Sequence, residues 1–296
     1  MVAIIAGFQR LYRSLYELFL IFRGNRRGLF GLCILVFFVL MATVGPHVVP
    51  LDMSADYDVR FQLPSWSNLL GTDYAGRDVL AQIVHGSRDV ILVSFLAAIF
   101  AVSIAIVVGI VSGLKGGFLD SILMMIVNII LTLPRLPFMM IIAAAFKVKD
   151  PFSFGLLLAI WSWAGLARAI RSQIFSLKER EFIEAAKVLG LSTSHIVLRE
   201  LLPNIMSYVA INFIFIMRGA IVASVALMFL GLVPFSVMNW GTMLNLATFQ
   251  TGAIYVPKAI FYVISPMAAI VLFQLGGVYF IYGLEEVFNP RLREHK

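Results

Sequence analysis

The sequence predicts an all-α membrane protein with six transmembrane helices, and three observations carry that prediction. Hydrophobic residues make up 61% of the 296 and charged residues only 13%, where a soluble protein has roughly 25% charged. Apolar runs long enough to cross a hydrocarbon core of about 30 Å recur along the chain between short polar stretches. Lys and Arg are also unevenly shared: fifteen fall in the segments assigned to the inner side, six in the outer ones, and Arg135 and Arg218 inside spans. By the positive-inside rule this puts both termini in the cytoplasm of a multi-pass protein of the cell (inner) membrane.

Residues 1–28 form an N-terminal segment whose Phe8, Leu11, Tyr12, Leu15, Leu18, Phe19 and Phe22 share one helical face, which predicts an amphipathic helix on the cytoplasmic surface. Gln9, Arg10, Arg13 and Glu17 interrupt its apolar residues and no small-residue cleavage pattern follows, so no cleavable signal is expected. Residues 29–49 are the first span, preceded by Arg23, Arg26 and Arg27 and closed by Pro46 and Pro50. Residues 50–88 carry five aspartates against three arginines and read as an aqueous extracytoplasmic loop, in which Thr72 or Asp73 is placed to cap a short helix.

Residues 89–285 form the membrane core, with spans over about 91–114, 118–146, 152–169, 205–232 and 259–284. Lys115-Gly116-Gly117 makes a tight inner turn. Pro134 and Pro137 interrupt the third span and free backbone groups that need protein or water as partners, so a kink lining a pathway is expected there. Trp240-Gly241 is read as a re-entrant or interfacial segment, and residues 286–296 as a cytoplasmic tail.

The polar island at 176–203 organises the rest. Phe182, Ala185, Ala186 and Leu189 fall on one helical face and Glu181, Glu184 and Lys187 on another. Gly190 stands where a left-handed residue would end that helix, and Ser192 where a side chain would cap a second one running to Pro203. The island thus reads as helix, glycine elbow, helix.

Several functions are excluded. No G-x-x-x-x-G-K-[ST] occurs, so the chain has no phosphate cradle of that kind and is not read as an ATPase. No nucleophilic or acid/base cluster is evident, and the four histidines stand singly, without metal-ligand spacing. Cys33 is the one cysteine. The net charge of +7 is explained by membrane orientation rather than nucleic-acid binding. An ion-coupled carrier is disfavoured, because no span has a central Asp or Glu.

Glu184-Ala185-Ala186, then Gly190, then Leu202-Pro203 resemble the EAA loop of ABC importer permeases, with Glu200 departing from the aliphatic residue usual at its place. LGTD at 70–73 followed by GRD at 76–78, FLGL at 229–232, Trp240-Gly241 and NPRLR at 289–293 are similar to the dipeptide, oligopeptide and nickel branch. The resemblance spans Leu29 to Arg293. It implies a type I importer permease fold in which Glu184, Ala185, Ala186, Lys187, Gly190, Leu202 and Pro203 couple to an ATPase. It implies a second homologous permease, two cytoplasmic ATPase subunits that bind ATP and Mg, and an extracytoplasmic substrate-binding protein. The chain itself is expected to need no cofactor. Peptides are the expected cargo, with oligosaccharides or nickel as alternatives. Arg218, Asn128, Pro134 and Ser224 are the candidate path residues; Asn128 and Ser224 stand where many members of the branch carry acids.

Overall fold

The structure, a computed structural model, describes residues 25–146, 148–233 and 236–288. The expected N-terminal surface helix and the NPRLR tail lie outside these residues. Among the described residues the elements are helical, and the spans follow the predicted order. Helices α1 (Arg26–Thr43), α2 (Val79–Lys115), the stretch Thr193–Phe229 and the stretch Pro257–Phe288 are each long and apolar enough to cross a membrane. Two bent pairs supply the remaining spans: α3 (Gly117–Thr132) with α4 (Arg135–Ala145), and α5 (Pro151–Ser162) with α6 (Ala164–Leu177).

Contacts group the chain into two compact units, Met1–Leu40 with Ala269–Lys296, and Met41–Ala268. In the first, small residues allow close backbone approach: a Cβ on Gly31 would strike the Phe280 backbone and one on Gly276 the Ile34 side chain. Phe38 packs edge-to-face on Phe273, with centroids 5.3 Å apart. Asn25 donates from its side chain to the Glu286 carboxylate.

The second unit is built on α2. Gly109 and Gly113 lie one turn apart on it, and a Cβ on either would come within 2.7 Å of Ile170 or Ile174 of α6. The pair removes the side chains that would hold two helices apart, as small residues four apart do in membrane packing. Ala101, Ala105, Ala164, Ala167, Ile170 and Ile174 fill the resulting core.

Two predicted features change. The second span starts at Val79, not near Ile91, and its first turns extend into the segment read as an aqueous loop. The cap is Asp78, whose side chain accepts from Leu80 N at 3.0 Å, and not Thr72 or Asp73. Those two are almost wholly buried. Asp73 Oδ1 accepts from Ala75 N (2.8 Å) and Arg77 N (2.9 Å), while Oδ2 accepts from Gln82 Nε2 (3.0 Å). A buried carboxylate survives when such donors replace water. The LGTD-x-x-GRD stretch is therefore a folded plug on the N-terminal end of α2. The Trp240-Gly241 segment forms a short helix, Trp240–Asn245, with the indole fully buried and donating to Ile83 O at 3.1 Å.

Outside the spans, the Ser153 amide and hydroxyl and the Phe152 amide hold the Asp150 carboxyl below its usual value, as expected of a cap at the start of α5.

Replacing Gly109 or Gly113 by Leu should overpack the α2–α6 contact and cost about 1–3 kcal/mol. A fluorescence melt of the detergent-solubilised protein should show the loss, while Gly165→Ala, at a position with open space beyond its Cβ, should leave the midpoint in place.

Candidate functional site

The island between α6 and the fifth span folds as helix, elbow, helix. Helix α7 (Glu181–Val188) ends at Gly190, whose φ is +71°. Gly190 N donates to Lys187 O (3.0 Å) and Leu191 N to Ala186 O (3.1 Å). This paired closure needs a left-handed residue that glycine adopts without a Cβ clash. Ser192 then caps the next turn, its hydroxyl accepting from His195 N at 3.3 Å.

Pro203 does not stop the helix. Thr193–His195 passes through a π-helical turn, Ile196–Leu201, into α8 (Leu202–Phe229), with Pro203 in the first turn of α8. Proline lacks an N–H and crowds the preceding turn, and the wider winding just before it accommodates both. Asn204 Nδ2 donates to the Glu200 carbonyl at 2.6 Å.

The face of α7 that the sequence grouped together is divided by the fold. Ile183 and Ala186 are buried, in one core with Ile170 and Ile174 of α6, Ile196 and Leu201 of the π-helical turn, and Ile205 of α8. Phe182, Ala185 and Leu189 are exposed, as are Glu184, Lys187 and Gly190. Val188 at 87% and Leu189 at 76% exposure present apolar surface at the elbow, joined by Leu198 at 61%. Leu202 is half-buried and Pro203 exposed. Within the described residues Glu184 makes no side-chain ion pair with Arg180 or Lys187. Beside α7 an open cleft of about 720 Å³ is lined by Leu177, Glu179, Arg180, Glu181, Phe182 and Asn204.

A second feature links the island to the spans. Arg171 of α6 grips Asp120 of α3 with both forks, Nε to Oδ1 and Nη2 to Oδ2 at 2.5 Å each. Ser112 of α2 donates to the same carboxylate. Arg171 also lies over the Phe175 ring at 4.6 Å, with Lys178 on the same ring at 4.0 Å. Three helices therefore meet at one carboxylate, about one and a half turns before the island begins. The sequence reading had put Asp120 only at a span entry and Arg171 only among the inner cations; nothing in their spacing of 51 residues joins them.

The path candidates are placed unevenly. Pro134 lies in the break between α3 and α4, where the chain turns by 94°. Asn128 Oδ1 accepts from Arg168 Nη2 at 2.5 Å. Arg218 lies on α8, half-buried, next to Gly219, and a Cβ on Gly219 would be 3.9 Å from Arg135 Nη1. Ser224 is buried, its hydroxyl donating to Ile221 O at 2.9 Å, so it is held inside the packing of α8. No group of three metal-ligating side chains is present among the described residues.

Broken and continuous spans joined through a helical elbow define a membrane permease. The chain belongs to the family of binding-protein-dependent transport system inner membrane components, whose model matches residues 105–294. Residues 15–64 match the N-terminal TM domain of oligopeptide transport permease C. The chain is 31% identical over 272 residues to a putative peptide permease of Brucella suis, covering 91% of this chain and 89% of that protein. It is 31% identical over 282 residues to the dipeptide transport system permease protein DppC of Bacillus subtilis, covering 92% of this chain and 84% of that protein. With the oligopeptide transport system permease protein OppC of Salmonella typhimurium it shares 35% identity over 230 residues, 76% of this chain and 75% of that protein. It is a multi-pass, pore-forming permease of the ABC importer class and not itself an enzyme.

Asp120→Ala should strand Arg171 and cost about 1–3 kcal/mol, the range for losing a charge-assisted bond at a partly exposed site. Thermal denaturation in detergent checks it, and the exchange Asp120→Arg with Arg171→Asp should recover part of the loss.

Proposed function

We propose that this chain is one half of the pore of an ATP-driven peptide importer, with α7 as the helix that receives force from an ATPase subunit. The observation that carries the reading is the divided face of α7. One edge, Ile183 and Ala186, is set into the core shared with α6 and α8, while Phe182, Ala185, Val188 and Leu189 stand outside it. A helix fixed on one edge and bare on the others is a lever: a partner seated on the bare side displaces α6 and α8 together. The Gly190 elbow returns the chain directly into α8, so no slack loop absorbs the push.

The cargo assignment to peptides is supported by the oligopeptide and dipeptide transport for which the relatives are named. The partners that follow are a second, homologous permease closing the pore, two cytoplasmic ATPase subunits that bind ATP and Mg, and a substrate-binding protein outside. The charge distribution supports both termini and α7 on the cytoplasmic side. Glu184, Lys187 and Gly190 belong to the exposed docking surface with Ala185. Ala186 belongs to the buried root, and Leu202 and Pro203 to the start of the driven span.

Closure and opening of the ATPases would rock the spans between inward-open and outward-open states. Helices α3 and α4 bend at Pro134, and α5 and α6 bend by 53° at Trp163. Irregular backbone at such depth is tolerated where it is covered by protein or lines a watery cavity, which supports Pro134, Asn128 and Arg218 as the lining of the path and Ser224 as packing behind it.

With Cys33 replaced by Ser, a cysteine at Ala185 or Val188 should crosslink to an ATPase subunit in the assembled importer, and one at Ala186 should do so far less. Labelling of position 185 from the exterior of intact cells would reverse the assigned orientation and sink the lever. Gly190→Val, which forces a β-branched residue to φ +71°, should cost about 1–2 kcal/mol locally. In reconstituted vesicles it should lower uptake per ATP hydrolysed more than it lowers assembly.

A further inference from the structure

The spans hold cations and no acids over long stretches. No Asp or Glu occurs between Asp120 and Asp150 or between Asp150 and Glu179, yet Arg135 and Arg168 stand in those intervals. The fold brings their neighbourhoods together. Arg135, at the start of α4, donates from Nη2 to Ser162 Oγ of α5 at 3.2 Å. Its Nη1 lies against α8 at Gly219, the residue after Arg218. Arg168 lies six residues beyond Ser162, about 9 Å along the chain at helical rise, and takes Asn128 of α3 as its acceptor.

Asn128 and Ser162 accept hydrogen bonds but offset no charge. Arg171, one turn past Arg168, is different, because Asp120 neutralises it. Arg135 and Arg168 are also exposed on the surface of this chain. A guanidinium facing lipid at depth is costly, so Arg135, inside its span, faces water or protein, and Arg168, at the inner end of its own, is turned to Asn128 of α3. The chain opens beside them: α3 and α4 part at Pro134, and a Cβ on Gly165 meets no atom within 4 Å.

We propose that Arg135 and Arg168 form an anion-receiving strip along the translocation path, and that the cargo it favours is acidic peptides. The assignment of cargo class rests on the peptide-importer reading above. Carboxylates match the planar guanidinium fork. Successive stations of one sign let an acidic side chain pass from one arginine to the next, while a cationic peptide meets repulsion at each.

The test uses the assembled importer in proteoliposomes, with Cys33→Ser and Gly165→Cys, so that this chain carries one thiol. Gly165 precedes Arg168 by three residues and shares its helix face. Modification by an anionic and by a cationic methanethiosulfonate of similar size is followed by the mass of this chain. Relative to a free thiol, the anionic reagent should be favoured on the order of tenfold, as expected for a cation within about 8 Å at intermediate dielectric. Arg168→Gln and Arg135→Gln should each lower that ratio several-fold.

In parallel, uptake of a Glu-containing peptide is compared with its Gln isostere. The acidic member should be preferred, and the ratio should fall towards one in the Arg135→Gln, Arg168→Gln double variant. A thiol ratio equal to that of the free thiol, or one that the Arg→Gln changes do not move, overturns the strip. So does a parallel fall of both peptides with their ratio intact, the result expected if the arginines pair with acids of the second permease. An anion preference at the Gly165→Cys thiol in an importer that moves neither peptide would keep the strip and remove the peptide reading.

Discussion

Two small contacts hold the functional geometry together: Ile183 and Ala186 of α7 buried among isoleucines and leucines of the spans. An eight-residue helix is too short to persist alone in water. Its order comes from this packing, and so does its stiffness, because a well-packed core resists displacement of one member without the others. The same contacts decide which side of α7 is left for a partner. With alanine at both 185 and 186, only the one facing the core is committed inward, and its neighbour lies on the open surface.

Arg171 and Asp120 extend this connection upward. A forked guanidinium held by one carboxylate fixes orientation as well as distance, and Ser112 brings α2 to the same point. Together with the Gly109–Gly113 contact, the pair makes α2, α3 and α6 one body just above the island. A force applied to α7 would therefore reach α2 and α3 through α6.

The irregular backbone is confined to a few places in the spans. The break at Pro134, the bend at Trp163 and the π-helical turn before Pro203 all interrupt helices that would otherwise be straight rods. In a bilayer each interruption leaves groups that must be satisfied by protein or water. Two of the three flank Arg135 and Arg168, so the breaks in the spans and these two exposed cations are near neighbours.

The sequence by itself determined the membrane class, the order of the spans, the break at Pro134, the Gly190 elbow and the Ser192 cap. Each of these follows from local causes: apolar length, a missing N–H, a positive φ, a hydroxyl one turn ahead of its donor. Only the tertiary structure decided that Ala186 is buried and Ala185 bare, that Pro203 is carried through by a π-helical turn, that Asp73 is the hub of a buried plug, and that Arg171 meets Asp120. Those outcomes depend on which elements pack against one another across tens of residues. Helical periodicity specifies that a face is apolar, but the neighbour that covers it is chosen by the fold.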